Sequence, residues 1–477
     1  MTTDALRFYV GGAWVDPLGP ATMPIMDPAT EERIGTVALG TAGDVDRAVQ
    51  AATEAFESFG RWSKAERLAL LRRIRDLTAD RREDLAQAMS REMGAPITMA
   101  REVQAEAGIG HADGFIAALE AQEERWQLPN GDTLLREPIG PAGLICPWNW
   151  PINQIALKVL AALATGCPAI LKPSEHTPLS AAIYAEILHD AGVPPGAFAL
   201  IHGTGPEVGD ALARHPGLAM VSFTGSTRAG VSVSKSAADS VKRVTLELGG
   251  KSPNLVFADC GDALEARVRA SVAECFLNTG QSCDAPTRLI VERACYDAAV
   301  EIARVAAEDT QVGDPRAEGD HLGPLFDRLQ WDRVQEKIAQ GIAEGARLVA
   351  GGPGRPEGMN RGWYARPTVF ADVDNGMVIA REEIFGPVLS ILPAADEAEA
   401  IAIANDTPYG LAAFVQTGDP DRAERVAARL RAGAVHVNGG GMGWGTPFGG
   451  YKASGNGREG GAMGLEDYQE VKSLHFG

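Results

Sequence analysis

The sequence predicts an α/β fold built on parallel sheets, and three observations predict it. From residue 142 short apolar runs alternate with helical stretches, and a second series of the same kind begins after Gly249. At 477 residues the chain is also long enough for roughly two to three domains. Strands that alternate with helices pair in parallel and carry helices on both faces of the sheet.

Ahead of that alternation the pattern is helical. Val45, Ala48, Val49, Ala52 and Phe56 have amphipathic spacing within residues 44–59, and Asp44 is placed to cap the first turn. Helical patterning continues through KAERLALLRRIRDLTADRREDLAQAMSREMG to Gly94, a residue suited to ending a helix. The first alternating series reads AGLIC, INQIALKVLAALATG, PAILK, LSAAIYAEILHDAG, FALIHG, MVSFTG and RVTLEL. The second reads NLVFA, TRLIVE, helices near 296–309 and 327–345, then YARPTVFA, VLSILPA, LAAFVQTG and AVHVNG. There is no fixed-period repeat. The run GGGMGWGTPFGGYKASGNG (439–457) is the most loop-like segment.

Composition narrows the partners. Hydrophobic residues make up 45% and charged residues 22%, an ordinary globular balance. With 63 acidic against 44 basic residues the net charge is −19, which repels phosphate backbones and anionic lipid, so neither nucleic acid nor membrane is expected as a partner. The charges of DRREDLAQAMSREMG (80–94) read as a solvated helical face. The amino terminus has no signal-peptide pattern, and no apolar run reaches the roughly 18 residues of a membrane span. The cysteines at 146, 167, 260, 275, 283 and 295 form no CxxC pair and read as reduced thiols in the cytoplasm. The histidines show no HxH or HExxH pattern, so no metal site is expected.

Several stretches could carry chemistry. In FLNTGQSC, polar and glycine residues surround Cys283, whereas Cys167 and Cys260 sit beside apparent core strands; Cys283 reads equally as nucleophile or buried filler. LELGGKSP puts Glu247 at a strand end before a Gly-Gly turn, as a general base or a cap of that turn. CPWNWP holds Asn149 between two tryptophans, as an oxyanion donor or a structural amide. HGTGPEVG, with Gly205 at its centre, is one residue longer than the dinucleotide fingerprint. FTGSTRAG follows a strand and opens a helix, presenting Gly225 and Ser226 as phosphate binders or as an ordinary turn. KPSE (172–175) offers a cation and a carboxylate suited to ribose hydroxyls.

In order, PWNWP, KPSE, GTGPEVG, FTGST, LELGGKSP, NTGQSC, EEIFGP and PFGGYKASGNGRE make the sequence resemble the aldehyde dehydrogenase superfamily over nearly its whole length. The resemblance implies a Rossmann-like cofactor domain (1–119 and 139–249), an α/β catalytic domain (250–459) and a small β oligomerisation element (120–138 and 460–477). It implies oxidation of an aldehyde to its acid with NAD, NADP being a weaker alternative. Cys283 matches the nucleophile, Glu247 the base for deacylation, and Asn149 the oxyanion donor. Lys172 and Glu175 match the adenosine-ribose contacts, Gly205, Gly225 and Ser226 the phosphate side, and Glu383 and Phe385 the nicotinamide end. Trp148 is read as packing on the cofactor side and not as a substrate contact.

The resemblance also implies an aldehyde channel lined by Trp150, Asn153, Gln154, Leu157, Ser282 and Asp284, with Met442 and Trp444 closing its mouth. Asn153, Gln154 and Asp284 make it polar, suited to hydroxylated or aromatic aldehydes. Asp284 argues against a carboxylate-bearing semialdehyde unless Arg288 intervenes or Asp284 points away to cap a turn. The competing readings are a coenzyme A acyl-transferring member, which usually lacks a glutamate at position 247, and a catalytically idle member. Assembly as a homodimer or homotetramer is expected.

Overall fold

A computed structural model describes residues 4–476. Five strands of the first series lie in parallel, in the order Arg243–Glu247, Met220–Thr224, Ala142–Ile145, Ala169–Lys172 and Phe198–Leu200. Four of the five are buried at every residue, as a sheet covered on both faces requires. The chain steps outward from Ala142–Ile145 to one side and then, after Phe198–Leu200, to the other. That reversal opens a crevice beyond the carboxyl ends of the strands. Antiparallel strands close both edges of this eight-stranded sheet: Phe8–Val10 with Ala13–Val15 at one, Gly455–Asn456 at the other.

The second series forms a seven-stranded sheet in the order Arg347–Ala350, Thr368–Ala371, Val388–Ala394, Arg288–Glu292, Pro253–Val256, Ala412–Gln416 and Ala434–Val437. Only the Arg347–Ala350 edge pairs antiparallel. A separate antiparallel sheet joins Arg125–Gln127, Thr133–Pro138 and Gln469–Leu474. Thus segments distant in sequence share one projecting element. Large apolar cores pack against each major sheet. Among the described residues, no helix is long and apolar enough to cross a membrane.

Helices follow the expected pattern with two differences. The first runs Ala42–Phe59 behind Thr41, whose backbone N–H donates to Asp44 Oδ2 at 3.0 Å. The long helical stretch is broken at Arg81 into Lys64–Asp80 and Arg82–Met93, and Gly94 ends it in the left-handed conformation at φ 82°. The charge in 80–94 is not all solvated. Glu92 is buried and accepts from Leu179 N at 2.7 Å and Ser180 N at 3.0 Å, capping the helix Pro178–Asp190. A carboxylate is tolerated there because it satisfies helix N–H groups that would otherwise be buried unpaired.

Candidate active site

After the helix Leu264–Phe276, Asn278, Thr279 and Gly280 all adopt positive φ (54°, 58° and 71°) and fold the chain back on itself. A Cβ at Gly280 would stand 2.2 Å from Gly386 O, so only glycine lets this loop press against the IFGP segment. Asn278 fixes the loop from inside: its Nδ2 donates to Asn149 O at 2.9 Å, and its Oδ1 accepts from Gln104 Nε2 at 3.3 Å. Gln104 ends a single π-helical turn, Ala100–Gln104. Held this way, Cys283 is the half-exposed cysteine of the chain, while the other five are buried. Cys283 lines two cavities at once.

The larger cavity, about 560 Å³, lies in the crevice of the first sheet and is walled by Trp148, Asn149, Gly225, Ser226, Glu247, Glu383 and Phe385 with Cys283. Asn149 is buried, and its Nδ2 donates to Gln281 O at 3.0 Å, leaving its second N–H free for the cavity. Glu247 ends its strand buried, with neither carboxyl oxygen hydrogen-bonded among the described residues. Gly449 permits that approach, since a Cβ there would stand 2.7 Å from Glu247 Oε1. Burial, and then the charge of Glu459, push the Glu247 carboxyl well above its ordinary range against Lys158 and Arg458. Burial, and then Asp284, Glu383 and Glu247, push the Cys283 thiol up as well.

Of the pair behind Glu247, Glu459 ends the PFGGYKASGNGRE motif, whereas Lys158 belongs to none. Lys158 is fully buried, pairs with Glu459, and donates to Thr224 Oγ1 at 2.7 Å. The one hint was a charge inside the otherwise apolar helix Pro151–Thr165.

The remaining residues expected at the cofactor separate into two places. Trp148 stacks on Phe326 with ring centroids 4.3 Å apart and meets Phe385 edge-on, so it packs and lines the cavity together. Ser226 caps the helix Thr227–Ala237, its hydroxyl accepting from Ala229 N at 3.3 Å. Glu383 Oε1 accepts from Gly250 N at 3.1 Å, and burial raises its carboxyl to about 7. Lys172 and Glu175 stand apart from this wall, paired at 3.0 Å, beside the Gly205–Gly209 turn, where Gly209 comes against the Lys172 stem. Burial opposes ionisation of Glu175, but Lys172, the backbone N–H of Glu175 and His176 together hold the carboxyl below its usual range. Groups that suit a dinucleotide are present: a cavity beyond the strand ends, the start of the helix Thr227–Ala237 in its wall, and a glycine at Gly205 with open space over its Cα.

The second cavity, about 240 Å³, lies on the other side of the thiol. Trp150, Asn153, Gln154 and Leu157 reach it from one face of the helix that Trp150 caps, at the spacing i, i+3, i+4, i+7. Trp150 Nε1 donates to Ser282 Oγ at 2.9 Å. Asp284 lines the cavity and does not turn away, and Met442 and Trp444 close over it. Arg288 does not intervene: its guanidinium is fully buried and donates to the carbonyls of Lys251, Ile403 and Ala404 and to Asn375 Oδ1. Glu274 and His111 also line the space, and neither belongs to a sequence motif.

The aldehyde dehydrogenase family model matches residues 14–474. The chain is 48% identical to a 3-succinoylsemialdehyde-pyridine dehydrogenase of a Pseudomonas species, over 99% of this chain and 98% of that protein. It superposes on an aldehyde dehydrogenase from Bartonella henselae with a TM-score of 0.97 at 47% identity, covering 99% of both chains. A cysteine-to-alanine variant of an aldehyde dehydrogenase from Pseudomonas syringae, solved with NAD+ and octanal, gives a TM-score of 0.97 at 49% identity, with 98% of this chain and 96% of that one covered. The chain belongs to the aldehyde dehydrogenase family.

Proposed function

We propose that the chain oxidises an aldehyde to its carboxylic acid with NAD, through a thioester on Cys283 that water, activated by Glu247, then cleaves. The position of Cys283 at the junction of the two cavities carries this reading: Asn149 and Glu247 wall one side, and the other leaves room for a small aldehyde.

The Cys283 thiol gives up its proton to solvent water, and the resulting thiolate sulfur bonds to the aldehyde carbon as the carbonyl π electrons move to oxygen. Negative charge then develops on the carbonyl oxygen, where the free N–H of Asn149 donates to it; one such donor contributes about 3–4 kcal/mol to the transition state. When bound, NAD supplies the acceptor for the hydride that leaves this carbon. Glu247 takes a proton from water, the water oxygen attacks the thioester carbonyl, and the Cys283 sulfur leaves as the acid forms. A carboxyl with a raised pKa is a stronger base than an ordinary glutamate, which suits that step.

Lys172 and Glu175 are assigned the adenosine ribose, with Gly205 beside them. Gly225 and Ser226 are assigned the pyrophosphate, and Trp148, Glu383 and Phe385 the nicotinamide end. The Glu175 carboxylate accepts from a 2′-hydroxyl and repels a 2′-phosphate, which favours NAD over NADP. The exposed edge of Gln469–Leu474 is assigned to pairing between subunits in a homodimer or homotetramer, and the enzyme to the cytoplasm.

The test is NADH formation on an aldehyde panel, with and without coenzyme A, for the parent and Cys283→Ala. Turnover that is independent of coenzyme A and absent in the variant, with NAD binding retained, supports the reading. Oxidation by Cys283→Ala, or turnover only with coenzyme A, removes it.

A further inference from the structure

Resting on the assignment of Cys283, we propose that the preferred substrate is an aldehyde bearing a neutral hydroxyl group, which His111 and Asn153 bind together. Three observations in the aldehyde cavity carry this.

First, both side chains line the cavity, one from the helix Ala105–Ala121 and one from the helix Pro151–Thr165, and His111 Nε2 lies 2.7 Å from Asn153 Oδ1. That bond uses one polar atom of each. Second, the other polar atoms, His111 Nδ1 and Asn153 Nδ2, have no hydrogen-bond partner among the described residues, and neither is sealed from solvent. Third, the pair is uncharged and held in place. Burial lowers the His111 pKa, outweighing the bond to Asn153 and the charge of Glu459, so the ring is neutral. The Trp444 ring meets the imidazole edge-on with centroids 5.0 Å apart and supports it from a second side.

A neutral imidazole donates through one nitrogen and accepts through the other. With Nε2–H donating to Asn153 Oδ1, the pair is left with an acceptor at Nδ1 and a donor at Nδ2. With the opposite tautomer and the amide turned over, Nδ1–H donates and Oδ1 accepts. Either arrangement offers one donor and one acceptor. A hydroxyl answers both through a single oxygen, giving its proton to one and accepting from the other. An alkyl group answers neither, a carboxylate cannot donate, and an ammonium cannot accept. Trp150 does not compete for the hydroxyl, because its Nε1–H is already donated to Ser282 Oγ. Trp150, Trp444 and Phe448 also wall this cavity of about 240 Å³, and their flat faces suit an aromatic aldehyde.

The experiment compares kcat/KM for 3- and 4-(hydroxymethyl)benzaldehyde with that for 3- and 4-ethylbenzaldehyde, in the parent, His111→Phe and Asn153→Leu. Hydroxymethyl and ethyl are alike in size, so the ratio isolates the hydrogen bonds. In the parent at least one hydroxymethyl isomer is expected to exceed its ethyl counterpart by about tenfold or more. Each variant should bring that ratio to one or below, mainly through KM. Because the ratio is taken within one preparation, partial misfolding cancels from it, and either variant suffices if the other does not fold. Ethyl isomers used by the parent as well as both hydroxymethyl ones would overturn the inference and leave aldehyde oxidation standing. A preference that both variants retain would overturn the assignment to His111 and Asn153. No NADH from any of the four aldehydes would overturn the proposed function and this inference with it.

Discussion

At the scale of single residues, Cys283 and Glu247 share one electrostatic problem. Both stand among carboxylates, and both hold their protons more tightly than a free thiol or carboxyl. Glu247 works as a base only when ionised, so acyl hydrolysis should fade as pH falls through its raised pKa. The acid limb of kcat is therefore expected above the ordinary carboxylate range wherever hydrolysis limits turnover. Lys158→Met removes the positive charge that most opposes the rise and should move that limb further up. A limb at ordinary carboxylate values, unmoved in the variant, would contradict this. Cys283, Glu247 and Asn149 were legible in the sequence because each sits in a short run of unusual residues. The pairing of Lys158 with Glu459 was not, since it is made across 301 positions and nothing in the motif that ends at Glu459 points to Lys158.

At the scale of elements, the seat of the lid is a consequence of glycine placement. The helix Ala105–Ala121 carries Gly110 and Gly114, and the loop carrying Trp444 and Gly445 rests against them. A Cβ at Gly110 would stand 2.1 Å from the Trp444 ring, and one at Gly114 would stand 2.8 Å from Gly445 N. Gly110→Ala should thus displace Trp444, raise KM for the aldehyde several-fold with a smaller change in kcat, and shift tryptophan emission. Unchanged KM and emission would show that the contact is immaterial. Helices with a full amphipathic stripe were readable almost to the residue, as Tyr296–Asp309 shows against the expected 296–309. Strands of three residues such as Phe8–Val10 were not, because a period of two cannot register over so short a run. The break at Arg81 was hidden too, since both flanking segments have helical patterning and neither glycine nor proline marks the junction.

At the scale of the whole molecule, alternation of strand and helix was enough to predict a parallel sheet and a second α/β domain, but not the strand order of either sheet. The order matters, because the reversal beside Ala142–Ile145 is what opens the crevice for Asn149 and Ser226. The projecting sheet leaves Gln469–Leu474 as an edge paired on one side only, with Val471 57% exposed and Phe476 76% exposed. An unpaired edge with exposed apolar groups suits pairing with a second copy. Val471→Asp together with Phe476→Asp is expected to lower the molar mass in light scattering toward that of a monomer of 50.3 kDa. An unchanged mass would place subunit contacts elsewhere.

The central claim is that acyl transfer passes through Cys283 and is completed by Glu247. It is tested most directly by mixing Glu247→Gln with NAD and an aldehyde, then measuring released NADH and the intact mass of the protein. The account predicts a burst near one NADH per site, little turnover afterwards, and an acyl mass increment that maps to the peptide containing Cys283. Sustained turnover at the parent rate with no adduct would contradict it.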